Sequence, residues 1–186
     1  MKYDDLQRLE DFEKGIYPKI HDDIFKLVSE TEGHSVLDVG CCYGLLSHRL
    51  SKSFDVVGIE QNKGYCEKSV YDKVVNMKIS EDTMDDLRDI IKQNHIDIVV
   101  CRRVIPEMYT GGGEKLILDF ADVLYECGVQ YIVLEGRIKS KKSVHRLKGV
   151  DEEIEILNRN YLLDARYKNC ARLKRKRGKY HEEKIH

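Results

Sequence analysis

The residues best suited to chemistry fall between Val36 and Glu60. Residues 36–44 read VLDVGCCYG. A short apolar run carries Asp38, then a loop Gly40-x-Cys42-x-Gly44 leads into a helical pattern, GLLSHRLSK. Glycine accepts positive φ and lets the backbone pass close to a ligand. The N-terminus of the following helix would aim free N–H groups at the same place. A second apolar run, DVVGI, closes on Glu60, 22 residues after Asp38. A carboxylate at the end of a second strand suits paired hydrogen bonds to two ribose hydroxyls. The spacing is close to the roughly 20 residues of nucleotide-binding units.

The loop also says which nucleotides fit badly. A dinucleotide fingerprint needs G-x-G-x-x-G, and a P-loop needs G-x-x-x-x-G-K-[ST]; neither is present. Asp38 beside a pyrophosphate would repel it, so an NAD-type Rossmann unit is disfavoured. Beside a cationic ligand carrying an amine and a sulfonium the same charge is favourable. Six cysteines lack C-x-x-C spacing, and Cys41 and Cys42 are adjacent. This speaks against a disulfide framework and against a zinc site, so no metal ligands are assigned. The seven histidines are scattered, and no catalytic base can be read from them.

The elements that must hold these residues alternate. Residues 3–13 and 17–30 read as helices, the second with Ile20, Ile24, Phe25, Leu27 and Val28 at helical spacing. Strands are expected at 35–39, 55–59, 74–79, 96–101 and 129–135. Helices are expected at 44–52, 63–71, 82–94 and 114–127, the last opened by Gly111-Gly112-Gly113. Continuous Val/Ile runs mark strands buried on both faces, hence a parallel sheet covered by helices. After Ser143 the rhythm changes: a helix at 152–159, then strands 161–168 and 170–177 about a turn at Asn169, with one long helix through 154–177 as the alternative, disfavoured because no helical stripe stays continuous past Tyr161.

VLDVGCCYGLLSHRL resembles the first motif of class I S-adenosylmethionine-dependent methyltransferases, and DVVGIEQN resembles their second. HIDIVVCRRVIPEMY and QYIVLEGR are similar to the fourth- and fifth-strand regions of that family. The resemblance covers residues 20–177. It implies an α/β, Rossmann-like three-layer sandwich whose seven-stranded, mostly parallel sheet ends in a C-terminal antiparallel hairpin. It implies N-terminal helices over 1–33 packed on a single methyltransferase domain over 34–180. S-adenosylmethionine is the implied cofactor. Asp38 would hold its amine, and Gly40, Cys42 and Gly44 would form the loop beneath it. Glu60 would bind the ribose hydroxyls and Gln61 would lie beside the adenosine. Asp82, or Glu81 in its place, would sit near the adenine amine. Cys101 and Arg102 would lie where cofactor and acceptor meet. Cys42 stands where the family has its middle glycine, a departure that implies a tighter loop or weaker affinity. The [DNS]-PP-[YFW] motif of amino-methylating nucleic-acid enzymes is absent.

Charge bears on the acceptor. Residues 137–179 hold 15 Lys/Arg against 5 Asp/Glu, whereas residues 1–136 hold 16 against 26. A basic block is an electrostatic footprint for an anion, so a nucleic acid or other phosphate-bearing acceptor is the expected partner. A small-molecule or protein methyltransferase, with that block a solvated face, is the alternative. So is a degenerate methyltransferase fold serving as a partner subunit. No apolar run reaches the roughly 18–20 residues of a membrane helix. The charged N-terminus lacks a signal-peptide core. A reduced, cytoplasmic location is expected.

Overall fold

The computed structural model describes residues 5–136 and 149–177. Its sheet is built from β1 (Ser35–Val39), β2 (Asp55–Glu60), β3 (Val74–Asn76), β4 (Ile98–Arg102), β5 (Tyr131–Glu135), β6 (Tyr161–Tyr167) and β7 (Cys170–Arg175). Their spatial order is β3-β2-β1-β4-β5-β7-β6. The first five strands pair in parallel, and β7 runs antiparallel to both β5 and β6. This is the expected α/β three-layer sandwich with its terminal hairpin. The order reverses between β1 and β4, the place where open α/β sheets bind ligands.

Alternation along each strand divides the core between the two faces. Leu37, Val39, Val99, Ile132 and Leu134 face one layer. That layer is α5 (Met84–Gln93), α6 (Ile105–Glu126) and α7 (Val150–Leu157). Val36, Ile98, Val100 and Val133 face the other, where α2 (Lys19–Ser29) and α3 (Leu45–Leu50) contribute Ile24, Leu27, Val28, Leu46 and Leu50. Burial on both faces explains why β4 and β5 read as nearly continuous apolar runs, and β1 likewise apart from Asp38. Fully burying each such side chain contributes about 1.5–3 kcal/mol. Two further helices, α1 (Asp5–Glu13) and α4 (Lys63–Glu67), complete the described chain.

Several boundaries differ from the sequence expectation, among them the helix expected at 63–71, which ends at Glu67. β3 spans Val74–Asn76 instead of 74–79, because Ser80 opens a capping box with Thr83 and pulls the chain into a 3-10 turn over Glu81–Thr83. The helix at 82–94 accordingly starts at Met84. Helix α6 begins at Ile105 instead of 114, with Pro106 in its first turn, where its missing N–H is no loss. The glycine run does interrupt it: Gly113, at φ 70° and ψ −165°, breaks the helical path.

Candidate cofactor site

Two cavities open at the carboxyl ends of β1, β2 and β4. The larger, about 710 Å³, is walled by Ile59, Glu60 and Gln61 from β2 and its exit. Met77 to Asp82 lie on one side of it, and Val104, Met108 and Leu116 on the other. The smaller, about 90 Å³, lies between the β1–α3 loop and Pro18, Ile20 and His21 at the start of α2. Gly40, Arg102 and Arg103 line both, so the two meet above the end of β4.

Each cavity has its own acid. Asp38, 1 % exposed, faces the smaller cavity and accepts a hydrogen bond from Ser47 Oγ at 2.7 Å. Burial pushes its carboxyl up to about 6, against the lowering pull of Ser47 and of the nearby Arg102 charge. Glu60 is buried at the mouth of the larger cavity. Its Oε2 accepts from the Cys42 backbone N–H at 2.9 Å and its Oε1 from the Asn62 N–H at 2.7 Å. Each carboxylate oxygen has a further lone pair to offer.

The loop between them is set by three left-handed residues: Gly40 at φ 73°, Cys42 at 55° and Gly44 at 70°. Cys42 thus keeps the backbone shape a glycine would give. Holding a side chain in that region costs roughly 1–2 kcal/mol, and the Cys42 N–H bond to Glu60 fixes the conformation. A Cβ on Gly40 would stand 2.6 Å from Val104 Cγ2, so only a hydrogen fits against Val104 there.

The end of β4 supplies the cations. Arg102 pairs in register with Glu135 on β5. Its Nε lies 3.3 Å from Glu135 Oε2, and its Nη1 lies 2.5 Å from Nε2 of the buried His21. An arginine is donor only, so His21 presents the unprotonated nitrogen to it. Arg103 turns into the left-handed region at φ 60°. Its Nε and Nη2 both reach Glu135 Oε1 at 2.9 Å, and its N–H donates to the Glu135 carbonyl at 2.8 Å.

Asp38, Gly40 and Cys42 therefore line the smaller cavity, Glu60, Gln61, Glu81 and Asp82 the larger, and Arg102 both. Gly44 lines neither. It caps α3, where a Cβ would lie 2.5 Å from Ser69 Oγ and 2.8 Å from Tyr71 Cβ. Cys101, expected where cofactor and acceptor meet, lies beside Val39 in the sheet register, is wholly buried in the core and lines neither cavity. Burial also drives its thiol far above the ordinary range, away from nucleophilic chemistry.

His21 and Glu135, which meet the arginines at these cavities, are not among the residues singled out from the sequence. Glu135 had a signal: VQYIVLE is an apolar strand closing on an acid, as DVVGIE is. His21 had none, because only tertiary folding brings α2 to β4.

The basic block is divided. Residues 137–148 and 178–179 lie outside the described residues. Within 149–177, Arg172 pairs with Asp164 at 2.6 Å and Glu30 at 3.4 Å, and Arg159 with Asp122 at 3.5 Å. Lys168 pairs with Asp23 at 3.7 Å, and Arg166 with Asp151. These cations hold the hairpin and α7 to their surroundings.

No protein-family model matches the sequence, and no curated protein matches it. Solved structures do. The N-methyltransferase NodS from Bradyrhizobium japonicum WM9, solved with S-adenosyl-L-homocysteine, superposes with a TM-score of 0.64 at 15% identity. That match covers 94% of this chain and 93% of NodS. A TehB-like SAM-dependent methyltransferase from Corynebacterium glutamicum ATCC 13032 Kitasato gives 0.60 at 17% identity, over 92% and 96% of the two chains. The bifunctional kinase-methyltransferase WbdD gives 0.60 at 17%, over 84% of this chain and 39% of its own. The chain thus spans about two fifths of WbdD. The architecture is the class I S-adenosylmethionine-dependent methyltransferase fold.

Proposed function

We propose that the chain binds S-adenosylmethionine and transfers its methyl group. One observation carries this reading. Two cavities meet at Gly40, and each presents an acid suited to a different end of that molecule. Asp38 is placed for the ammonium group, since a buried carboxylate gains most from a cation in contact. Glu60, already fixed by two backbone N–H groups, has acceptor capacity left for the ribose hydroxyls. Gln61 and Asp82 offer polar partners to adenine, while Ile79, Val104, Met108 and Leu116 supply apolar walls. NAD would bring a pyrophosphate to a loop whose strand carries Asp38, which is why a dinucleotide fits poorly.

Bound there, S-adenosylmethionine supplies an electrophilic methyl on a sulfonium that departs as a neutral thioether. The chain's own residues then need only hold an acceptor in line behind that methyl, and positioning of this kind supplies much of the rate. NodS, solved with S-adenosyl-L-homocysteine, supports the reading as a structural neighbour.

Isothermal titration with S-adenosylhomocysteine tests it, with NAD as control. Saturable binding of the former, absence of the latter, and at least tenfold weakening in Glu60→Gln are expected. Glu60→Gln retains an acceptor for one backbone N–H, so it perturbs the loop less than alanine. Equal binding by Glu60→Gln and wild type would contradict the ribose assignment. No binding at all would leave a fold without its cofactor, a partner-subunit role.

A further inference from the structure

We propose that the methyl acceptor is an anion, bearing a carboxylate or phosphate that the Arg103 guanidinium binds. This rests on the cofactor reading above and extends it to the substrate.

The smaller cavity carries the charged groups Asp38, Arg102 and Arg103, with Glu135 buried behind the two arginines. A methionine moiety would bring one carboxylate and one ammonium group. Asp38 answers the ammonium. Arg102, deeper and fixed between His21 and Glu135, is placed to answer the carboxylate. Arg103 is then left over. Glu135, 0 % exposed, is one carboxylate shared by two guanidinium groups. Glu135 engages only the Nε and Nη2 edge of Arg103, so an acceptor that brings its own anion meets a guanidinium with donors still to give.

Arg103 is also built for the task. Its side chain is 54 % exposed and lines both cavities, whereas Arg102 is 25 % exposed. Its Nε and Nη2 are held on Glu135, which fixes the plane of the guanidinium. The Nη1 edge keeps donors beyond those two contacts. A φ of 60° on a long side chain is strain, and such strain collects at ligand sites. In the transfer itself, a lone pair on the acceptor atom forms the new bond to the methyl carbon as the carbon–sulfur bond breaks. Its electron pair stays on sulfur, and any proton on the acceptor atom leaves to solvent.

The test follows the Arg103 Nε–H resonance by nuclear magnetic resonance in protein saturated with S-adenosylhomocysteine. Inorganic phosphate and acetate are titrated separately, with chloride at matched ionic strength as control. A saturable shift with phosphate or acetate, absent with chloride, is expected, and the tighter of the two names the acceptor's anionic group. Anion affinity, read in the variants from neighbouring backbone amides, should fall at least tenfold in Arg103→Gln. It should fall at least threefold in Arg103→Lys, which keeps the charge but loses the planar fork. Arg103→Lys also guards against a folding defect from unpairing Glu135. A response equal to that of chloride, or one unchanged in both variants, overturns the proposal alone. Failure of S-adenosylhomocysteine to bind overturns the cofactor reading, and the proposal with it.

Discussion

Asp38 is a buried acid that the free protein holds at a disadvantage. Its carboxyl titrates near 6 when folded, against 3.8 ordinarily. The folded state therefore binds more protons between those values. The contribution of Asp38 to stability is greatest below 3.8 and is lost as pH rises through about 6. Asp38→Asn should then raise the stability of the ligand-free protein by about 2 kcal/mol at pH 7 while weakening S-adenosylhomocysteine at least tenfold. Denaturant unfolding and calorimetry check the two halves, and a destabilised variant would contradict the first. The same group sets a pH dependence. An ammonium ligand favours ionised Asp38, so affinity should be level above about 6 and fall by up to tenfold per pH unit below it. Calorimetric titrations across that range would show it; a flat profile would remove Asp38 from the ammonium site. At this scale much was legible. Asp38, Gly40 and Glu60, singled out by type and spacing, and Gln61 and Asp82, singled out by the family resemblance, all line the two cavities, because a strand-loop-helix unit fixes local positions. Cys101 is wholly buried and lines neither cavity, which its place near the end of a strand does not reveal.

The elements that build the site are the β1–α3 loop and the start of α6. Both bend through positive-φ residues, and they differ in what a side chain would meet. At Gly40 (φ 73°) a Cβ would stand 2.6 Å from Val104. At Gly113 (φ 70°) it would meet nothing within 4 Å. Gly113→Ala should cost about 1–3 kcal/mol from backbone strain alone. Gly40→Ala should cost more, because overpacking adds about 1–3 kcal/mol, and it should weaken S-adenosylhomocysteine at least tenfold. Denaturant midpoints of the two variants, with titrations on Gly40→Ala, separate backbone from packing. Equal costs would mean that Val104 yields freely. The alternation of strands and helices was legible because continuous Val/Ile runs signal two-sided burial. The start of α6 was not, since Gly111-Gly112-Gly113 reads as the loop before a helix, whereas the chain is already helical from Ile105 and only breaks at Gly113. The hairpin at β6 and β7 was legible from its turn at Asn169 and from the loss of any helical stripe beyond Tyr161.

Across the whole molecule the acidic and basic parts are brought together by folding. Asp22 and Asp23 on α2 pair with Arg49 and Lys168, and Glu30 pairs with Arg172. The C-terminal basic block seen in sequence is thus partly consumed in holding the hairpin, which a linear charge count does not reveal. His21 joins Arg102 for the same reason: α2 is distant from β4 in sequence and adjacent to it in space. What this assembly creates is a cleft with Asp38 in its smaller part and Glu60 in its larger part, and thermal unfolding tests directly the roles proposed for the two. Wild type, Asp38→Asn and Glu60→Gln would be compared with and without S-adenosylhomocysteine at pH 7. Ligand at about 100 times its Kd adds roughly 2.7 kcal/mol, or roughly 5–10 °C in Tm for a domain of this size. We predict a shift of that order in wild type, none with NAD, and a much smaller one in each variant. An unshifted wild type at saturating ligand, or full shifts in both variants, would contradict the account.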